Sequence, residues 1–393
     1  MNFAQRLDQV SESKTQRVQL EAARLRRQGF DVVDLSAGEP DFSTPAHVKA
    51  SGISAIKEDF TKYTANAGIR ELKQAIAERY LVDYGIDYKE EETIVCAGGK
   101  QALFNAAMAL FEAGDEVITH VPGWPTIAEQ IKLTGAEPIL VRTYPEDRFQ
   151  LKADDVLGAM SARTKAIILN SPCNPTGALI SPETLQTIAE QTAAQNVWLI
   201  LDLCYERLIY QPEGQFLPSL LNKVARDRSV LVGSLSKTYA MTGWRCGWAL
   251  GPASLIRAVN AIQSHSTSNT CSITQRAAVS ALTESQECVN AMLSEYRARR
   301  DMSMEWFQGE SMFRVVQPAG AFYLFPDISS ALRIEGPRTS LEFADRLLSE
   351  AHVAVTAGEA FDAPGFLRLS FATSMERLKE GFGRLRRFVE SLR

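Results

Sequence analysis

A lysine lies near the end of an apolar run in the second half of the chain, in the segment Ser234-Leu235-Ser236-Lys237. Most lysines are solvated surface charges, but the carboxyl end of a central strand is where α/β sheets bind ligands. A desolvated amine at that position is a nucleophile that can form a Schiff base. Ser234 and the downstream Arg245 add a hydroxyl and a bidentate guanidinium, the groups that a phosphate dianion needs. The segment predicts a reactive lysine beside a phosphate site.

Two further segments place polar side chains directly after apolar runs. The first, residues 170–177, contains Asn174 and by itself reads as a turn, because Asn, Pro and Gly are the usual turn residues. The second carries Asp202, with Tyr205 shortly after it, and by itself reads as a helix cap. Taken with Lys237, these segments predict an amine, an amide, a carboxylate and a phenol at the carboxyl ends of separate strands, converging on one cleft.

This set of groups suits pyridoxal 5'-phosphate. The cofactor withdraws electrons only while its ring nitrogen stays protonated, and a buried carboxylate such as Asp202 raises the pKa of that nitrogen by pairing with its charge. Asn174 and Tyr205 can both donate hydrogen bonds to the phenolate oxygen of the ring. We therefore predict a pyridoxal-phosphate site in which Lys237 holds the cofactor covalently.

The elements that must position these residues alternate along the middle of the chain. Short runs rich in Ile, Val and Leu, typical of buried parallel strands, lie at Glu116–His120, Ala166–Leu169, Val197–Leu201 and Val230–Val232. Helical patterns between them include Lys100–Phe111 and Pro182–Gln195. This alternation of strands and helices predicts a large α/β domain over residues 48–285, with a mostly parallel central sheet sandwiched by helices.

The C-terminal part of the chain has a different pattern. A long amphipathic segment, Val289–Phe307, is followed by short apolar runs and further helical patterns. These are strand-like Ala321–Phe325, Val353–Thr356 and Phe366–Phe371, a helix at Leu341–Ala351 and a final helix. The mixture predicts a smaller α+β domain over residues 286–393.

Composition disfavours several classes of protein. The 393 residues are 45% hydrophobic and 23% charged, which is enough apolar material for a large core in two domains. A net charge of -5, spread without long like-charge blocks, disfavours binding to nucleic acid or anionic lipid. No run approaches the ~20 apolar residues of a membrane span, and the N-terminus lacks a signal-peptide pattern, so we expect a cytoplasmic protein.

The six cysteines and four histidines are scattered without close pairs. This spacing suits reduced thiols rather than a disulfide framework or a zinc site, and we expect no bound metal. A Ser/His/Asp hydrolase is disfavoured for the same reason.

Several motifs together resemble those of the class I aminotransferases, which are pyridoxal-phosphate-dependent transferases of fold type I, and most closely the bacterial aspartate aminotransferase branch. The resemblance runs from Leu35 to the C-terminus and rests on Ser171-Pro172 with Asn174-Pro175-Thr176-Gly177, on Ser236-Lys237 and on Gly243-Trp244-Arg245. It implies a discontinuous small domain, in which residues 1–47, with a helix near Lys14–Gln28, join residues 286–393.

The resemblance also implies roles at the cofactor. Gly99, Lys100 and Gln101 begin a helix whose backbone amides would bind the phosphate, and Trp124 matches the aromatic residue that stacks on the pyridine ring. The implied catalytic residues are Lys237, Asp202 and Tyr205. The implied cofactor-binding set is Tyr63, Gly99, Lys100, Gln101, Trp124, Asn174, Asp202, Tyr205, Ser234, Ser236, Lys237 and Arg245.

Other residues acquire roles towards the substrate or a partner subunit. Arg368 matches the arginine that binds the substrate α-carboxylate, although an arginine in a strand can also mark a surface edge. Gly38 resembles the glycine that lets the backbone approach the same carboxylate, and the resemblance also assigns Asn174 and Trp124 to substrate binding. Tyr63 resembles the tyrosine that reaches the phosphate of the partner subunit, which implies a homodimer with shared active sites.

Two positions depart from the family pattern. The sequence Asp202-Leu203-Cys204-Tyr205 replaces the usual Asp-Glu followed by an aliphatic residue and Tyr. We expect Cys204 to be a neutral packing thiol, since the Asp and the Tyr are retained. Trp124 lacks the aromatic neighbour that is common before it, which affects the shape of the substrate site.

The resemblance implies ping-pong transamination, in which an L-amino acid and a 2-oxo acid react in turn. L-Aspartate with 2-oxoglutarate is favoured, because Lys100 can pair with the distal carboxylate and Ser13 and Thr15 fall where small hydroxyl residues assist; a solvent-facing Lys100 is the alternative. Prephenate, aromatic amino acids and alanine are competing substrates. A fold type I lyase is a rival reading, whereas a transcription regulator is disfavoured because the motifs leave no space for a DNA-binding domain.

Overall fold

The computed structural model of the chain describes residues 4–11, 14–210, 218–332 and 336–392. Within them, the strands are β1 (Val33–Asp34), β2 (Thr93–Cys96), β3 (Glu116–Val121), β4 (Glu137–Arg142), β5 (Thr164–Asn170), β6 (Trp198–Asp202), β7 (Ser229–Ser234), β8 (Gly247–Leu250), β9 (Tyr323–Leu324), β10 (Val353–Ala354), β11 (Thr356–Ala357) and β12 (Leu367–Ser370). The helices are α1 (Lys14–Arg27), α2 (Ala46–Lys57), α3 (Arg70–Tyr84), α4 (Gly99–Leu110), α5 (Thr126–Leu133), α6 (Ala153–Gly158), α7 (Pro182–Ala194), α8 (Ser219–Val224), α9 (Leu235–Thr238), α10 (Ala253–Ser264), α11 (Ser272–Thr283), α12 (Glu287–Gln308), α13 (Ser340–Ala351) and α14 (Met375–Ser391). None of the helices in these ranges has the length and apolarity that a membrane crossing requires.

The central sheet has seven strands in the order β2-β8-β7-β6-β5-β3-β4, and β8 runs antiparallel to both of its neighbours. The predicted apolar runs form β3, β5, β6 and β7, which pair in parallel. Alternate residues of β6 enter two different apolar clusters, Leu199 and Leu201 on one face and Ile200 on the other. Because both faces are covered, the strands are apolar nearly throughout. The predicted fold class, a mostly parallel sheet between helices, is confirmed.

Local sequence signals fix several helix ends. Ser181 caps α7 by accepting a hydrogen bond from the Thr184 amide, and Pro182 occupies the first turn. Gly85 ends α3 in the left-handed conformation, with φ of 68°. The predicted helix boundaries are therefore close to those observed.

Two small sheets form beside the large one. β11, β12 and β9 make an antiparallel sheet with β12 in the centre, and β1 pairs in parallel with β10. Helix α1 contributes Ala22 and Leu25 to a cluster with Leu348 and Ala354, so the N-terminal helix packs against the C-terminal region. The discontinuous small domain, with boundaries at residues 47–48 and 285–286, stays a prediction.

The predicted strand Val353–Thr356 is the main difference in detail. It divides into β10, which pairs with β1, and β11, which pairs with β12 in a separate sheet. The prediction of a single strand was wrong because the chain passes from one sheet to the other at Val355. An unbroken apolar run does not reveal such a change.

Candidate active site

Most of the predicted site residues line one cavity of about 290 Å³, at the lower end of the volumes of small-molecule sites. They are Gly38, Gly99, Lys100, Trp124, Asn174, Asp202, Tyr205, Ser234, Ser236, Lys237, Arg245 and Arg368. Residues distant in sequence therefore meet at the carboxyl ends of the central strands, where α/β sheets bind ligands.

Three neighbouring strands end at what we call the cavity floor, defined by Asn170, Asp202 and Lys237. Asn170 and Asp202 are paired in register as the last residues of β5 and β6, and Lys237 lies in α9, directly after β7. The Asn170 side chain donates to the Asp202 carbonyl at 3.2 Å and accepts from the Asn174 amide at 2.9 Å. The sheet register thus fixes the relative positions of the floor residues.

The Lys237 amine is placed for reaction. It donates a hydrogen bond to the Gly38 carbonyl and lies 6.0 Å from the ring centroids of Tyr205 and Phe322. Burial lowers the pKa of Lys237 to about 8. A useful fraction of the amine is therefore neutral, and hence nucleophilic, near neutral pH.

Asp202 is a buried carboxylate, 1% exposed, whose Oδ1 accepts from the Cys204 amide at 3.0 Å. Burial raises the pKa of Asp202, because a charge in the interior lacks solvation. A cationic partner in the cavity, such as a protonated pyridine nitrogen, would supply the missing stabilisation. The residue thus fits the role that its sequence predicts.

One end of the cavity is suited to a phosphate. Helix α4 begins at Gly99, and the first N–H groups of any helix lack intrahelical acceptors. A Cβ at Gly98, where φ is 91°, would lie 2.7 Å from Arg245 Nη2, so only glycine lets the guanidinium approach the backbone this closely. The hydroxyls of Ser234 and Ser236 lie 2.8 Å apart at the same end. Amides, hydroxyls and a guanidinium form the donor set that a phosphate dianion requires.

Trp124 and Cys204 both line the cavity. The Lys100 ammonium lies 5.1 Å from the Trp124 ring centroid, and burial lowers the pKa of Lys100, with Arg245 adding to the effect. Cys204 is close to the backbone of α4, since a Cβ at Gly99 would lie 2.7 Å from its Sγ. Burial raises the pKa of the Cys204 thiol, which keeps it protonated, in agreement with a neutral packing role.

The cavity roof, defined by Gly38, Tyr323 and Arg368, comes from the small sheets and the segment after β1. Arg368 is 3% exposed in the central strand of its sheet, so the alternative of a surface edge is wrong. Its guanidinium donates to Asn174 Oδ1 at 3.0 Å and to the Ser36 carbonyl at 2.8 Å. Its buried Nε has no hydrogen-bond partner among the described residues. A buried cation with an unused donor suits an anionic ligand.

Two predicted residues, Gln101 and Tyr63, do not line the cavity. The Gln101 side chain accepts from the Ala97 amide and donates to Thr267, and Tyr63 is 91% exposed on the surface. Ser13 lies outside the described residues. Thr15 lies in α1, and its side chain is not described. Their roles stay predictions.

The cavity also contains residues that had no predicted role. These are Gln19, Asn170, Thr242 and Tyr323, together with Cys204, which the sequence assigned only to packing. Asn170 lies within the segment 170–177 and Thr242 directly precedes the Gly243-Trp244-Arg245 motif, so their neighbours were a usable signal. Gln19 and Tyr323 lie far from the motifs in sequence and reach the cavity only through tertiary packing.

Comparisons with known proteins agree with this geometry. The sequence profile of the family "Aminotransferase class I and II" matches residues 31–385. The aspartate aminotransferase of Geobacillus stearothermophilus is 39% identical over 391 residues, covering 100% of each chain. The aspartate/prephenate aminotransferase of Thermus thermophilus is 40% identical, covering 98% of each. The structure of the aspartate aminotransferase from Thermus thermophilus with maleate superposes with a TM-score of 0.93 at 39% identity, covering 98% of this chain and 99% of that one.

The fold and the lysine-bearing cavity define a pyridoxal-phosphate-dependent transferase of fold type I. The chain belongs to the class I and II aminotransferases, and it is an enzyme of amino-group transfer.

Proposed function

We propose that this aminotransferase moves the amino group of L-aspartate to 2-oxoglutarate in a ping-pong reaction. The observation that carries the proposal is that one cavity contains Lys237 and, besides Arg245 at the phosphate end, the two cations Arg368 and Lys100. A dicarboxylate has two anionic ends, and these cations offer a partner for each. The names of the relatives, aspartate and aspartate/prephenate aminotransferases, favour the same substrate.

In this proposal, Lys237 holds the cofactor and later carries a proton. Pyridoxal phosphate, when bound, withdraws electrons from the substrate Cα–H bond. The Lys237 amine would hold the cofactor and, when free, would carry the proton that leaves the substrate Cα. Its pKa of about 8 supports this role, because proton transfer is most efficient when the pKa of the catalytic group lies near the working pH.

The floor residue Asp202, its neighbours Asn174 and Tyr205, and the phosphate end of the cavity would hold the cofactor. Asp202 would pair with the ring nitrogen, and Asn174 and Tyr205 would donate to the phenolate oxygen. The backbone of Gly99 and Lys100, with Arg245, would bind the phosphate. Burial of the Asp202 carboxylate and the helix N-terminus at Gly99 are the supporting observations.

Arg368 would bind the α-carboxylate of the substrate in the cavity roof. It is buried and already held by Asn174 and Ser36, so little side-chain entropy is lost when the carboxylate binds. Lys100 is more exposed and would pair with the distal carboxylate above Trp124. The substrate would then span the cavity with its Cα near Lys237.

We also propose a homodimer in which Tyr63 reaches the phosphate of the partner subunit. Tyr63 is 91% exposed, and Ile53 and Ile56 of the nearby helix α2 are 53% and 54% exposed. Such apolar exposure supports an interface, which sedimentation analysis of the purified enzyme would test. The cytoplasmic location stays a prediction.

The visible absorption spectrum of the loaded enzyme tests the substrate proposal. We expect L-aspartate to bleach the yellow band and 2-oxoglutarate to restore it, because each half-reaction changes the cofactor. A band that L-alanine or L-phenylalanine bleaches while aspartate does not would contradict the assignment to dicarboxylates.

Prephenate is the second candidate acceptor, because relatives such as that of Thermus thermophilus bear it in their names. Restoration of the yellow band by prephenate would establish it. Release of pyruvate or ammonia without an oxo-acid acceptor would indicate a lyase side reaction.

A further inference from the structure

Tyr323 is a cavity residue to which neither the sequence motifs nor the proposed reaction gives a task. It lies in β9, its side chain is 0% exposed, and its ring packs in the apolar cluster around the small sheets. Tyr323 is nevertheless among the residues that line the cavity. A buried phenol usually requires a hydrogen-bond partner, so the contacts of this hydroxyl indicate its role.

The first contact joins Tyr323 to Tyr205, which lies three residues after the floor residue Asp202. The hydroxyls of Tyr323 and Tyr205 are 2.8 Å apart, and both rings are buried. A phenol carries one proton to donate and an oxygen that accepts. If Tyr205 donates to a ligand in the cavity, its oxygen can only accept from Tyr323, and the pair becomes a directed chain towards the ligand. Each hydrogen bond in such a chain strengthens the next.

The second contact joins the Tyr323 ring to Arg368. Tyr323 is paired with Ser370 in the β9–β12 register, and Arg368 lies two residues before Ser370, so both side chains leave the same face of the sheet. The Arg368 guanidinium lies 4.4 Å from the Tyr323 ring centroid, within the range of a cation–π contact. The hydroxyl also approaches Gly38, where a Cβ would lie 3.3 Å from it.

We propose that Tyr323 is a positioning residue whose hydroxyl orients the Tyr205 phenol towards the cofactor, while its ring holds the Arg368 guanidinium for the substrate carboxylate. One side chain then links the two halves of the active site. The proposal rests on the roles of Tyr205 and Arg368 under the proposed function. The titratable and charged groups that interact with the Tyr323 phenol are Tyr205, Arg368 and Tyr296.

The hydroxyl is tested by Tyr323→Phe, which keeps the ring. The readout is the pH midpoint of the visible absorption change of the cofactor-loaded enzyme without substrate. We expect the midpoint to rise by about 0.5 to 1 pH unit, because one supporting hydrogen bond is lost. Tyr205→Phe should raise the pH midpoint more than Tyr323→Phe does. The double variant should have the same midpoint as Tyr205→Phe alone, since the chain of hydrogen bonds is already broken.

The ring is tested by comparing Tyr323→Leu with Tyr323→Phe. We expect the KM of the amino donor that bleaches the wild-type enzyme to change less than about twofold in the phenylalanine variant and to rise about tenfold in the leucine variant. Tyr296→Phe is the matched control: Tyr296 is a buried phenol in the same cluster, and its hydroxyl has no hydrogen-bond partner among the described residues. It should leave both readouts at the wild-type values, and thermal unfolding of all variants reports any loss of folding.

Three results would overturn the proposal. They are an unchanged midpoint in Tyr323→Phe, an equal shift in the Tyr296→Phe control, and equal KM values in the leucine and phenylalanine variants. Failure of the proposed function is visible separately. A wild-type enzyme that aspartate does not bleach contradicts the substrate, and a Tyr205→Phe variant with no midpoint shift contradicts the role of Tyr205.

Discussion

The floor and the roof of the cavity are held in place by different means. The floor residues Asn170 and Asp202 end two adjacent strands of the central sheet and Lys237 lies just after a third, so one backbone ladder, in which strands lie about 4.8 Å apart, sets their separations. Of the roof residues, Tyr323 and Arg368 lie on the neighbouring strands β9 and β12 of a small sheet. That sheet is joined to Asn174 and to the segment before Gly38 through side-chain hydrogen bonds, such as the one from Arg368 to the Ser36 carbonyl. The floor is therefore fixed within one sheet, whereas the roof depends on tertiary contacts between a second sheet and its surroundings.

This difference separates two kinds of catalytic contribution. Under the proposed function, groups on the floor would face the cofactor and control the chemical step. Groups in the roof would face the substrate and control its binding and orientation. If the division is correct, floor variants should mainly change kcat and the cofactor spectrum, and Arg368 variants in the roof should mainly change KM. Tyr323 is the roof residue expected to affect both, because its hydroxyl contacts Tyr205.

The largest effect is expected for the floor residue Lys237. Lys237→Ala should lower transamination by at least about 10³-fold, because both the covalent attachment and the proton carrier are lost. Stopped-flow spectra with the amino donor would measure this loss. The thermal midpoint of the variant is the control for folding, and substantial residual turnover would contradict the assignment.

The next largest effect is expected for the roof residue Arg368. Arg368→Ala removes two charge-assisted donors from the carboxylate site and should lower kcat/KM by about 10²- to 10³-fold, mostly through KM. Steady-state kinetics with a series of donor concentrations measures the change. The spectrum without substrate should keep its yellow band, and loss of that band would mean that the roof and the floor are not separable.

A smaller effect concerns the protonation of Lys237 in the cofactor-free protein. The neutral amine reacts, and burial lowers the pKa of Lys237 to about 8. The rate of combination with pyridoxal phosphate should therefore rise about tenfold above pH 7 and level off above about pH 8 to 9. A rate that keeps rising beyond pH 10, as for a solvated lysine, would show that the floor does not desolvate this amine.

The smallest effect is expected for Lys100, a more exposed cation at the edge of the cavity. Lys100→Ala should lower kcat/KM for aspartate about three- to fivefold, as for a partly solvated ion pair, and should leave the value for alanine unchanged. Lys152→Ala, which removes an exposed lysine elsewhere, is the matched control. Equal losses for aspartate and alanine would remove the reason to assign Lys100 to the distal carboxylate.

Two of the three floor residues, Lys237 and Asp202, could be predicted from the sequence, as could Asn174 beside them. Each follows an apolar run, and the ends of parallel strands meet at one sheet edge whatever the loops between them do. The third floor residue, Asn170, had no predicted role, although it lies in the same segment as Asn174. Arg368 and Gly38 were found only through a family resemblance, since nothing in their local sequence points to the cavity. The contact of Tyr323 with Tyr205 was not predicted, because the motif residues give no information on how β9 packs against the segment after β6.

The sequence by itself determined the alternation of strands and helices, the parallel sheet and the residues at its carboxyl edge, since these follow from short-range apolar patterns and from the strand geometry. The tertiary structure alone decided which residues close the cavity from above, why Val353–Ala354 and Thr356–Ala357 enter different sheets, and how Tyr323 lies between Tyr205 and Arg368. The physical reason is that these contacts join segments far apart in the chain, and their geometry depends on side-chain packing that no local pattern encodes.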